Sequence, residues 1–258
     1  MTIDLHDVML VAAPLDDWEG AADQFTGLAE HALDIGAPAH ARRAYNMAAY
    51  VRWQHGQWAD AREQSLQSER AVRGSGDREH IVGLAETAKC LVMLERDLAQ
   101  ADAMAMEAQA LAQRGQFAHN AIPAALGMLR FFENRMDEAE ELLKQARTLC
   151  KWAGDRINEY QADEYLVMVD IQRGRHAAAK VRCMELVALG DKLREGSEAP
   201  FAHALLGLCA YALEDDPKAL DAALEDLPAA DAKHRLAYAQ TRAAMLDCQR
   251  GRHDTGAA

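Results

Sequence analysis

Ten histidines and five cysteines carry most of the reactive side chains in this 258-residue sequence. Their spacing points away from metal and nucleophile chemistry. No H-E-x-x-H occurs and no histidine pairs with a cysteine at ligand spacing, so no metal site is expected. Cys90, Cys150, Cys183, Cys209 and Cys248 lie far apart without a C-x-x-C, and read as small buried helix residues in a reducing compartment. The phosphate-binding patterns G-x-x-x-x-G-K-[ST] and G-x-G-x-x-G are absent, as is G-x-S-x-G, so neither a cofactor nor an enzyme is expected. What remains is recognition chemistry. Tyr50 and Trp53 are three residues apart and share one face of a helix, and aromatic rings beside methionines and a few polar groups suit an extended or helical peptide.

The elements that would position those rings follow from the composition. Ala, Leu, Met, Glu, Gln and Arg dominate, Gly and Pro are sparse, and β-branched residues are few, which favours helix throughout. Against 28 Lys+Arg stand 41 Asp+Glu, a net charge of −13. That balance, with no basic cluster, speaks against a nucleic-acid partner. The apolar stretch Val8 to Leu15 is short, ends in Pro14-Leu15 and is flanked by Asp7 and Asp16, unlike a signal peptide. The most apolar segment, Phe201 to Leu213, falls short of the ~20 residues that span a bilayer. No membrane association and a cytoplasmic location are the expectations.

A pattern of small and apolar residues returns about every 40 positions, the mark of a solenoid in which each unit buries its apolar face against its neighbours. Indexed on the turn within each hairpin, the anchors are Asp16, Gly56, Arg96, Asn134, Gly174, Glu214 and Gly251. Five positions after the first six stand Ala21, Ala61, Ala101, Ala139, Ala179 and Ala219, small residues that let two helices approach closely. Two after the anchor stand Trp18, Trp58, Leu98, Met136 and His176; nine after come Phe25, Ser65, Ala105, Leu143, Cys183 and Ala223. Gly36, Gly76, Gly154 and Gly190 sit where second helices should end. Asp77, Asp155 and the pair Asp216-Pro217 sit where helices should begin. Asp137 and Glu138 suit the positive end of a helix dipole. About thirteen helices are expected.

These residues resemble the tetratricopeptide repeat (TPR) family over residues 2 to 251. The resemblance is carried by Leu126-Gly127 and Leu206-Gly207 at the family's mid-helix pair, Gly56 and Gly174 at its turn glycine, and the alanine ladder. The period is nearer 40 than the family's 34, and Pro123 and Asp163 stand where Tyr45 matches the family's large residue. The resemblance implies an all-α fold, an α-solenoid of antiparallel helical hairpins forming a TPR-like superhelix. It also implies one array over residues 1–251, with hairpins at 2–36, 38–76, 78–115, 118–154, 156–196 and 198–230, a capping helix at 232–251 and a polar tail at 252–258. Within the capping helix Leu236, Ala239, Ala243 and Leu246 form the apolar stripe, while Arg235 and Arg242 lie on its polar faces.

In such an array the first helices line the concave face. That phasing nominates Arg43, Asn46, Tyr50 and Trp53, then Glu86 and Met93, then Met128, Phe131 and Phe132, then Gln161, Glu164 and Met168. Trp53 and Phe131 have an alternative as space-fillers between adjacent first helices. The family's clamp for a C-terminal carboxylate is not reproduced, because Arg43 and Asn46 are followed in the next hairpin by Gly83, Glu86 and Cys90. The expected function is a non-enzymatic scaffold that binds a protein or peptide through its groove. Long-period arrays of this kind look like those of bacterial signalling and regulatory proteins. A small-molecule or peptide-pheromone sensor is the alternative, and an enzyme with a composite site ranks third. Self-association is left open.

Overall fold

The computed structural model describes residues 18–74, 77–193, 198–226 and 233–252. The first helix of the 2–36 hairpin, and the expected signals at Asp16 and Gly76, lie outside them. Among the described residues the chain is all-α with no strand, in twelve helices: α1 (Trp18–Asp34), α2 (Pro38–Gln54), α3 (Trp58–Val72), α4 (Asp77–Met93), α5 (Leu98–Gly115), α6 (Ala121–Phe132), α7 (Met136–Ala153), α8 (Arg156–Gln172), α9 (His176–Leu193), α10 (Glu198–Glu214), α11 (Lys218–Asp226) and α12 (Lys233–Gln249). The chain forms two compact units, residues 1–162 and 163–258, and α8 runs from one into the other.

In the first unit each helix packs on the next from α1 to α7, and the first helices of successive hairpins also touch, α2 on α4 and α4 on α6. In the second unit α9 packs on α10, α10 on α11, and α12 returns to α10. Both units are TPR-like stacks of antiparallel hairpins. Their cores are built from helix faces that alternate alanine with larger side chains. Ala29, Ala32, Ala41, Ala44 and Tyr45 pack together between α1 and α2. Ala124, Ala146 and Ala162 pack together from α6, α7 and α8.

The repeat ladder explains why the helices come so close. Ala21, Ala61, Ala101, Ala139 and Ala179 are all buried, and each of α1, α3, α5, α7 and α9 begins on the large residue, Trp18, Trp58, Leu98, Met136 or His176. Phe25, Ser65, Ala105, Leu143, Cys183 and Ala223, one turn further on, are buried as well. At Gly127 an added Cβ would come within 2.8 Å of Leu143 Cγ, and at Gly207 within 2.7 Å of Leu220 Cα. These glycines are the places where a first helix meets its partner with no room for a side chain.

The hairpin turns share one hydrogen-bond pattern. The amide of a left-handed residue donates to the carbonyl three residues back, and the next amide donates five back: Gly56 to Trp53 with Gln57 to Arg52, Asn134 to Phe131 with Arg135 to Arg130, Gly174 to Ile171 with Arg175 to Asp170. In α4 that residue is Glu95, not Arg96. Asp97 is left-handed too, so this turn is one residue longer, and counting back from Ala101 places the anchor one position late. In the α10 hairpin the anchor Glu214 falls one position early instead. Its left-handed residue is Asp215, Ala219 is exposed, and Leu220 is the buried residue against Gly207.

The helix ends follow expectation in part. Gly36 and Gly154 take left-handed conformations. Asp155 caps α8 by accepting the Asn158 amide at 3.1 Å, and Asp216 accepts the Lys218 amide at 3.1 Å. Gly190, in contrast, lies inside α9, which continues to Leu193. No helix among the described residues is long and apolar enough to cross a membrane.

Candidate functional site

A cleft of about 620 Å³ opens within the first unit. One wall is the face of α2 that repeats at three and four residues: Arg43, Asn46, Met47, Tyr50 and Trp53. The α4 wall supplies Glu86, Lys89, Cys90 and Met93, and the end of α7 with the start of α8 supplies Ala153 to Asn158 and Gln161. His119, in the loop before α6, completes the lining.

The cleft brings together seven of the residues nominated by phase: Arg43, Asn46, Tyr50, Trp53, Glu86, Met93 and Gln161. Met128, Phe131, Glu164 and Met168 do not line it. Met128 is wholly buried and Phe131 nearly so, because ten of the twelve residues of α6 are buried and that helix has no open face. Phe131 meets the half-buried Phe132 edge-on at 5.5 Å. Glu164 and Met168 are buried in the second unit.

Trp53 does two jobs. Only 4% of it is exposed, its indole N–H donates to the Met93 carbonyl at 3.3 Å, and so it ties α2 to α4. Its ring stacks on Tyr50 at 5.9 Å and 28°, which presents the half-buried Tyr50 ring to the cleft. The Tyr50 hydroxyl accepts from Gln54 Nε2 at 2.9 Å.

Charge is unevenly compensated here. Arg42, buried, holds Glu79 at 3.1 Å and also pairs with Glu86, so Glu86 is a structural acid as much as a groove acid. Arg156 bonds Glu159 at 3.2 Å. The Asp155 carboxylate accepts from the Asn158 amide, from Asn158 Nδ2 at 2.6 Å and from Asn120 Nδ2 at 2.9 Å. Lys89 differs. Its ammonium donates to two neutral oxygens, Asn158 Oδ1 and Gln161 Oε1, the latter at 3.2 Å. Among the described residues no carboxylate lies within ion-pairing reach of Lys89 or of the exposed Arg43. Of the lining cations, Arg42 and Arg156 are thus paired with acids, whereas Lys89 and Arg43 are not.

Burial lowers the pKa of His119, with Arg42 and Lys89 adding to the effect and Glu86 opposing it. The Ala121 amide donates to its Nδ1 at 3.3 Å, the bond of a neutral ring. Burial also raises the thiols of Cys90 and Cys150, which keeps them protonated and unreactive. Among the described residues no group of three or more His, Cys, Asp or Glu side chains is placed to hold a metal ion.

Lys89 escapes the sequence phasing because of the longer turn. Counted from Arg96, the position equivalent to Tyr50, Met128 and Met168 falls on Cys90; counted from the true left-handed residue Glu95 it falls on Lys89. The signal was present in the spacing, since Glu95 lies 39 residues from both Gly56 and Asn134. Arg42, Met47, His119 and Asn158 enter from neighbouring turns and loops, and no repeat position marks them.

No protein-family model matches the sequence, and no curated protein matches it. Among solved structures it is similar to two of a Podosopora anserina protein described as a putative kinesin light chain with nearly identical TPR-like repeats. A single-substitution form of that protein gives a TM-score of 0.49 at 16% identity over 77% of this chain and 97% of that one. The other gives 0.47 at 17% identity over 76% and 97%.

Proposed function

We propose that this chain is a non-enzymatic helical-repeat scaffold that binds a protein or peptide segment in the cleft of its first unit. The observation that carries this reading is the convergence of seven phase-nominated side chains on one cleft. Met47, Tyr50 and Met93 offer an adaptable apolar wall, and Asn46, Gln161 and Lys89 offer hydrogen bonds beside it. The acids are engaged in structure, Glu86 on Arg42 and Asp155 on its cap, which suits recognition better than proton transfer. A regulatory setting inside the cell, without nucleic acid, fits the acidic charge and the resemblance in repeat pattern.

The sensor reading has one observation in its favour: 620 Å³ lies inside the range of about 300–1,000 Å³ typical of small-molecule sites. A photo-crosslinking residue placed at Asn46, compared with one at the exposed Met184 on α9, separates the two. Protein adducts from native extract formed only from Asn46 support the scaffold. Equal labelling from both sites counts against it, and loss of labelling on adding a metabolite fraction below 1 kDa in roughly the drug-sized class favours the sensor.

A further inference from the structure

The cleft's charge pattern narrows the partner's chemistry. An ammonium has three donors, and Lys89 spends two of them on the amide oxygens of Asn158 and Gln161. Those amides fix the head group's position without neutralising it. The bridge continues from Asn158 to Asp155, whose carboxylate is held in place by the Asn158 amide, Asn158 Nδ2 and Asn120 Nδ2. Arg43, exposed at the rim, has no acid of its own among the described residues. Lys89, half-buried beside the apolar wall and held by neutral oxygens, is placed to receive an anion, and the solvated Arg43 adds positive potential at the rim.

The identity of that anion is limited by the same geometry. Phosphate is best held by several donors or by the fork of an arginine, and Arg42, the buried arginine of the site, is already held by Glu79 and Glu86. A dianion would also share the cleft with the carboxylates of Glu86 and Asp155, which repel it more than they repel a single carboxylate. A single carboxylate asks for one remaining donor and no more. Next to it the wall is apolar, with Met47, Tyr50 and Met93 lining the same cleft. Resting on the scaffold reading above, we propose that the cleft receives an internal acidic residue of a partner segment. Its Asp or Glu side chain bonds Lys89 under the rim cation Arg43, while an apolar neighbour in the segment lies on Met47, Tyr50 and Met93.

The test uses the full chain and a library of random peptides displayed inside a carrier loop, so that no free terminus can supply the carboxylate. Selected sequences are then made acetylated and amidated, and their affinities measured by fluorescence polarisation. The expected result is recovery of peptides with one fixed Asp or Glu next to an apolar residue. Lys89→Met weakens them by about tenfold or more, the effect of losing a hydrogen bond to a charged group. Lys89→Arg restores part of the loss. The Asn or Gln version of each peptide binds wild type and Lys89→Met equally, which also shows that the variant is folded. Peptides that need Asn46 and Tyr50 but show no acidic preference, or that ignore Lys89→Met, overturn this proposal and leave the scaffold reading standing. Recovery of no peptide that depends on Asn46 or Tyr50 overturns both.

Discussion

Asn46 and Tyr50 in the first unit occupy the same repeat positions as Glu164 and Met168 in the second, counted from the equivalent turn glycines Gly56 and Gly174. In the first unit both side chains are half-buried and line a cleft. In the second both are buried. For Glu164 the difference comes from what covers it. Arg235 of α12 reaches the Glu164 carboxylate with one nitrogen at 3.2 and 2.9 Å from its two oxygens, and its guanidinium lies 5.2 Å over the Phe201 ring. Arg235 is therefore not on a polar outer face, as the helical pattern of α12 suggests, but 3% exposed inside the second unit. A repeat position does not make a groove residue; an uncovered repeat position does.

The contrast can be broken most severely at the buried ion pair. Arg235→Met takes the cation from a buried Glu164 and should destabilise by about 3–5 kcal/mol, whereas Arg235→Met with Glu164→Leu should recover most of that loss. Urea denaturation checks both. If the single change is nearly silent, the second unit is not sealed by this pair.

The next test compares the two rings in the first unit. Trp53→Ala removes a buried ring that ties α2 to α4 and should cost about 3 kcal/mol. Tyr50→Ala, at a half-buried cleft position, should cost about 1 kcal/mol or less and act on binding instead. Equal losses of stability would place Tyr50 in the core and close the cleft as a candidate site.

Smaller still is the effect at the close helix contacts. Gly207→Ala drives a Cβ into the Leu220 backbone and should destabilise by about 1–3 kcal/mol. Gly27→Ala in α1, with nothing within 4 Å, should stabilise by up to ~1 kcal/mol through helix propensity. Thermal melts of the two variants should therefore move in opposite directions.

The smallest expected change is in pH dependence. His119 in the first unit and His176 in the second both have pKa values lowered, first by burial. A histidine with a lowered folded pKa stays neutral while the unfolded chain takes up a proton. Stability is therefore retained above the unfolded value of about 6.5 and lost as pH falls from there through the lowered folded pKa. His119→Asn, which keeps an acceptor for the Ala121 amide, should flatten part of that slope below about pH 6.5. An unchanged slope would show that His119 is not held neutral.

Much of the fold was legible in the sequence because close helix packing needs small residues at fixed intervals. Ala61, Ala139 and Ala179 could be placed from spacing alone, and all three are buried. The site was legible only in part. Arg43, Asn46, Tyr50 and Gln161 were found by phase, but Lys89 was missed, because a one-residue lengthening of the turn at Asp97 rotates the reading of α4 by a full residue. On a helix that is a rotation of about 100°, enough to put the buried thiol of Cys90 in the place of the half-buried ammonium of Lys89.

The order of residues along the chain was enough for the local terms: helix throughout, the period, the small-residue contacts and the face on which Tyr50 and Trp53 sit together. These depend on interactions between residues a few positions apart, or on a repeat that states the same contact several times. Which members of that face stay open was settled only by the folded chain. Whether Glu164 is a groove acid depends on Arg235, 71 residues away, and whether Lys89 keeps its charge uncompensated depends on Asn158 and Gln161, 69 and 72 residues away. Electrostatic pairing and burial are set by distance in space, which the spacing of the chain encodes only where the repeat holds its phase.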